Sequence, residues 1–212
     1  MKKYISTTGE EIGNSVSHGV MSLGALFLIP FVAVTTYAKA GVLASASVSV
    51  FAISIFLMFL SSTLYHSMHL GSKHKQVFQI LDHIFIYVAI AGTYTPIALC
   101  VIGGWQGIFI TALQWSMVLF GIFYKSLARR SIPAISLTIY LVMGWTVVFF
   151  APLFLRNASL PLMILILAGG VFYTIGAYFY AKKGFKYHHL VWHLFINMAM
   201  ACHYVAIACF LF

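Results

Sequence analysis

The sequence predicts an all-α polytopic membrane protein: a seven-transmembrane-helix bundle with its N-terminus inside and its C-terminus outside. Three observations predict it. The 212 residues are 62% hydrophobic and only 7% charged, with a mean hydropathy of +1.00. A soluble fold of this size cannot bury so much apolar surface, whereas a bilayer makes that composition the expected one. The apolar residues also fall into runs of span length, and the basic residues sit in the short turns between them in an orienting pattern.

The runs lie at about 17–38, 43–66, 78–102, 106–124, 133–154, 160–181 and 189–211. Each is close to the roughly 20 residues that cross a bilayer as a helix. With no low-complexity linker and no tandem repeat, residues 1–212 read as a single membrane domain. Lys2 and Lys3 are followed by a polar stretch with Glu10 and Glu11, and the next apolar run is span-length without a clear cleavage site. The amino terminus therefore does not read as a cleavable signal.

Positive charge sets the orientation. Lys2 and Lys3 precede the first run, and Lys73 and Lys75 join the second to the third. Lys125, Arg129 and Arg130 join the fourth to the fifth, and Lys182, Lys183 and Lys186 the sixth to the seventh. The opposite face holds Lys39 and Arg156, so ten of the 12 basic residues share one face, which the positive-inside rule makes cytoplasmic. This is the reverse of the G-protein-coupled receptor arrangement. An odd span count without an internal repeat also argues against a transporter of two pseudo-symmetric halves.

A net charge of +9 would suggest nucleic acid in a soluble chain. Here the charge lies in loops between spans, and no nucleic-acid partner is expected. Cys100, Cys202 and Cys209 fall inside spans and read as small packing residues, not as a disulfide framework.

Asp82 is the one acidic residue beyond Glu11, and it lies near the start of the third run. A carboxylate within a span is costly, about 2.5–3.5 kcal/mol at a helix centre and less near an end, so it calls for a function. The topology carries His66, Asp82, His189 and His193 to one depth at the cytoplasmic face. His189 and His193 are spaced i, i+4 and project from one helical face, as do Ser62 and His66. Three neutral imidazoles would leave a zinc ion an open fourth position, the pattern of a catalytic site. Asp82 would then hold a water as base, or hold a ligand in place, and Ser62 would orient a water or a carbonyl. At the start of the first run, Glu11, Asn14 and His18 share a helical face. They suit either helix capping, the favoured reading, or the entrance to the site. His188 reads as interfacial, His69 and His74 as solvated loop residues, and His203 as a packing residue. Gly92, Tyr94 and Pro96, and Gly144 with Trp145, suggest close packing and a proline bend.

These residues together resemble the progestin and adipoQ receptor superfamily, and within it the bacterial haemolysin-III-like branch. The resemblance rests on Glu11-Ile-Gly-Asn14-Ser-Val-Ser17-His18, Ser62 to His66, Leu81-Asp82 and Gly92-Thr-Tyr-Thr-Pro96. It continues through Tyr140-Leu-Val-Met-Gly-Trp145 and His189-x3-His193 to His203. It implies a seven-span bundle with zinc on His66, His189 and His193 near the cytoplasmic face, Asp82 reaching the metal through water, and Ser62 beside it. Relatives in the superfamily are tied to ceramide amide hydrolysis, to cell lysis and to membrane lipid homeostasis. The chain lacks the receptors' long amino-terminal cytoplasmic domain and its outer loops are short, so no protein hormone is expected as a partner.

The expected function is that of a zinc-binding, multi-pass protein of the bacterial plasma membrane that hydrolyses a lipid amide or ester. Its partners are membrane lipids. Two other classes stay open: a non-enzymatic sensor of membrane state with a structural zinc, and a haemolysin-like pore.

Overall fold

The computed structural model describes residues 7–127, 133–182 and 185–212. Lys2, Lys3, Arg129, Arg130 and Lys183, on which part of the charge argument rests, lie outside them. The described chain is helical and contains no strand: α1 (Thr8–Ser67), α2 (Lys73–Pro96), α3 (Gly104–Leu127), α4 (Pro133–Trp145), α5 (Ala151–Asn157), α6 (Leu160–Lys182) and α7 (His188–Phe210). Counting the segment from Ala134 to Asn157 as one, six described helices are long and apolar enough to cross a membrane.

α1 begins with a capping box: the Thr7 hydroxyl accepts from the Glu10 amide while the Glu10 carboxylate accepts from the Thr7 amide. Its 60 residues are broken at Gly41, where φ is 79° and ψ is −167°. A side chain would strain that conformation, and glycine permits it. Residues 8–40 and 42–67 thereby fold back on one another as two arms. The Ser45 hydroxyl donates to the Ala33 carbonyl at 2.8 Å near the bend. At the far end, Ser15 donates to the Thr63 carbonyl at 3.2 Å.

The first arm buries one stripe: Glu10, Asn14, His18, Ser22, Ala25, Val32 and Thr36. These recur every three, four or seven residues, the period of one helical face. Val16, Val20, Phe27 and Phe31 lie exposed on other faces, as a helix bordered by lipid requires. The second arm is central, and Val48, Phe51, Ile55, Met58 and Phe59 pack in one cluster with Trp192, Ile196, Met200 and Ile207 of α7.

Between helices already in lipid the hydrophobic effect offers little, so close approach of small residues and hydrogen bonds hold the bundle. Gly107 of α3 lies directly against the Ala98 carbonyl, which belongs to the π-helical turn Ile97–Ile102 that follows Pro96. Proline cannot donate to the turn before it, and the wider turn accommodates that loss. Gly92 packs on the Ser54 side chain, but a side chain at Gly144 would meet open space, so the close packing expected of Gly144 is absent. The Gly144 carbonyl instead accepts from the Tyr94 hydroxyl at 2.7 Å. The Tyr94 hydroxyl oxygen in turn accepts from the Val147 amide at 2.8 Å. Tyr94 thus satisfies backbone groups where α4 tightens into the 3₁₀ turn Thr146–Phe150 ahead of α5.

A cavity of about 500 Å³ lies among α2, α4, α5, α6 and α7. Its walls are overwhelmingly apolar, with Met58, Ile86, Trp192 and Ile196 among them, and Thr93, Thr174, His203 and several tyrosines add a few polar atoms.

Candidate metal centre

His66 closes the second arm of α1, and His189 and His193 occupy the first two turns of α7. One nitrogen from each ring lies within 4.8 Å of the others. Ring centroids are 5.2 Å apart for His66 and His189, 4.9 Å for His66 and His193, and 4.7 Å for His189 and His193. At metal–nitrogen bonds of about 2.0–2.1 Å, tetrahedral ligand atoms sit ~3.3 Å apart. Small ring rotations close that difference, so the three histidines can hold a metal ion.

The donor atoms suit that role. His66 Nδ1 lies 2.9 Å from Glu11 Oε2, and an acceptor-only carboxylate requires Nδ1 to carry the proton. His66 Nε2 then carries the lone pair, and it is buried with no hydrogen-bond partner. His193 Nδ1 is likewise buried and unpartnered. Buried polar atoms seldom go unsatisfied. A carboxylate on the far nitrogen of a ligating imidazole is also the usual support of a metal site.

Glu11 Oε2 is shared, since it also accepts from Lys75 Nζ at 2.8 Å. Lys75 donates as well to the Tyr65 carbonyl at 2.9 Å, and it lies over the Tyr65 ring at 4.4 Å from the centroid. Asn14 Nδ2 is 3.5 Å from His66 Nδ1. The buried His18 ring stacks on His193 with centroids 3.8 Å apart and meets Phe59 edge-on at 5.0 Å. The stripe Glu11, Asn14 and His18 therefore forms a wall of the histidine cluster. Capping of α1 is done by Thr7 and Glu10 instead. Glu10 also accepts from the Tyr187 amide at 2.5 Å, tying the start of α1 to the start of α7.

Ser62 is buried one turn before His66. Asp82 is half-buried on α2 and is not among the three residues of the cluster. It shares neighbours with them: Tyr65 and Tyr180 both feel its charge. Tyr65 packs against His66 at 4.5 Å and Tyr180 against His189 at 5.7 Å between centroids. Lys125 of α3 also lies within reach of the Asp82 charge.

The other histidines sit elsewhere. His203 is buried, and its Nε2 donates to the Ile166 carbonyl at 3.1 Å, a packing arrangement. His188 is buried at the start of α7, with Nδ1 3.2 Å from the Phe185 carbonyl. His69 and His74 are exposed.

Sequence reasoning missed that Glu11 is a partner of His66 and that His18 lies against His193. The signal was available. A polar stripe that continues through Ser22 and Ala25 into an apolar span marks a face turned towards protein rather than a helix cap.

Comparison with known proteins follows the same outline. Residues 6–204 match the family described as haemolysin-III related. The hemolysin-3 homolog of Bacillus subtilis (strain 168) is 39% identical over 197 residues, covering 90% of this chain and 89% of that protein. Hemolysin-3 of Bacillus cereus is 37% identical over 199 residues, covering 92% and 89%. The human monocyte to macrophage differentiation factor is 26% identical over 163 residues, covering 74% and 67%. With its apolar helices, this makes the chain a multi-pass membrane protein that belongs to the haemolysin-III-related family, a branch of the progestin and adipoQ receptor superfamily.

Proposed function

We propose that the protein is a zinc-dependent hydrolase of a lipid amide or ester that acts at the cytoplasmic face of a bacterial plasma membrane. The observation that carries the reading is the triad of His66, His189 and His193, in which His66 Nε2 and His193 Nδ1 are buried without a partner. Three neutral nitrogen ligands suit zinc. In this reading α1 crosses twice, folding back at Gly41, which gives seven spans with the amino terminus inside.

When bound, zinc supplies Lewis acidity and lowers the pKa of a water towards 7. The chain's own residues do the rest. Glu11 holds His66 in the tautomer that leaves Nε2 free. Asp82 takes a proton from water, and Ser62 orients the scissile carbonyl. The apolar cavity, which Trp192 and Met58 help to line, receives an acyl chain entering sideways from the bilayer.

In purified protein offered a panel of lipid amides and esters, fatty acid release should require zinc. It should fall at least a hundredfold in Asp82→Asn while zinc content stays unchanged, a loss typical of a general base. Zinc-independent release, or full activity in Asp82→Asn, overturns the assignment. Glu11→Gln should weaken zinc binding by about 10–100-fold, the usual cost of losing a ligand's outer partner. Competition with a chromogenic chelator measures it.

A second reading treats the metal as a clamp in a non-enzymatic sensor, because the triad joins only α1 and α7. It is favoured if chelation lowers the melting temperature and no lipid is turned over. A pore is disfavoured by the apolar lining of the large cavity.

A further inference from the structure

A second recess, of about 400 Å³, opens between the two arms of α1. Thr8, Glu11 and Ser15 line it from the first arm, and His66, Ser67 and His69 from the end of the second and the turn after it. Its chemistry differs from that of the large cavity. Beside Ile12, Val16, Met68 and Leu70 it offers a carboxylate, two imidazoles and three hydroxyls, and the Ser15 and Ser67 hydroxyls are 2.7 Å apart along its wall. His66 and Glu11 bring it into contact with the triad, whereas the lining of the apolar cavity includes no triad residue.

The triad imidazoles are at least half-buried, His66 and His193 fully, so an ion must travel to reach them. A divalent cation cannot cross an apolar lining without its hydration, because the desolvation cost is prohibitive. A polar passage is required. Glu11 is suited to pass a cation inward, because its ammonium partner can let go without being stranded. Lys75 keeps the Tyr65 carbonyl at 2.9 Å and the Met68 carbonyl at 3.4 Å.

We propose that this recess is the route by which a hydrated divalent cation loads onto the triad, with His69 at its mouth and Glu11 at its base. The proposal rests on the triad being a metal site.

The test is the time course of Co²⁺ or Zn²⁺ uptake by chelator-stripped protein in lipid nanodiscs, alongside the equilibrium affinity. Ser15→Trp, which fills the recess, should slow uptake and release by tenfold or more and leave the dissociation constant within about twofold. Ile12→Trp, at an exposed position on the recess wall, should act the same way should Ser15→Trp fold poorly. Ile164→Trp, in the apolar cavity, should change neither quantity. Uptake at the parental rate in both recess variants overturns the route, as does slowing by Ile164→Trp. Absence of metal at equilibrium in the parental protein overturns the metal site itself, a separate outcome.

Discussion

His193→Ala is expected to reduce bound zinc from about one ion per chain to nearly none, as read by elemental analysis of the purified protein. His193 is 2% exposed and sits at the centre of the arrangement, within ring contact of His18, His66 and His189. Removing it leaves two imidazoles from different helices, and no carboxylate belongs to the cluster to replace the third. Two ligands hold zinc far more weakly than three. A metal held by the folded state alone would add stability that is lost with it: saturation at 100 times the dissociation constant is worth about 2.7 kcal/mol. The variant should therefore melt like the chelator-treated parent, and chelator should shift it no further. A variant that retains a full complement of zinc would show that the ion binds elsewhere.

The second large effect lies far from the triad. Gly107→Ala should destabilise the bundle by about 1–3 kcal/mol, the range for forcing a methyl into a close-packed site. Its added carbon would meet the Ala98 carbonyl, a backbone atom that cannot rotate aside as a side chain would. The turn Ile97–Ile102 must shift, or α3 must move away. Gly24→Ala is the control, because nothing lies within 4 Å of the carbon it would add. It should be neutral or slightly stabilising, since alanine favours helix over glycine. Thermal unfolding in detergent should separate the two by several degrees, and equal melting of both would remove the close approach from consideration.

The helical class and the membrane character were legible in composition and run length, because a bilayer imposes both on a sequence directly. So was the meeting of His66, His189 and His193, for charge set the helix directions and the i, i+4 spacing set the shared face. The break at Gly41 falls between the first two apolar runs, where glycine is the residue that permits it. What the sequence could not carry is lateral packing. That Glu11 and His18 touch residues of the second arm and of α7 depends on how the hairpin closes, and N-terminal polar residues have an equally good local explanation as caps. The change of helix type after Trp145 is also invisible locally, since Tyr94, which satisfies it, comes from another helix.

The bond from Glu10 to Tyr187 joins the earliest described turn of the chain to the beginning of its last helix. During synthesis α1 emerges before α7, so until α7 arrives the α1 hairpin presents one imidazole of the three.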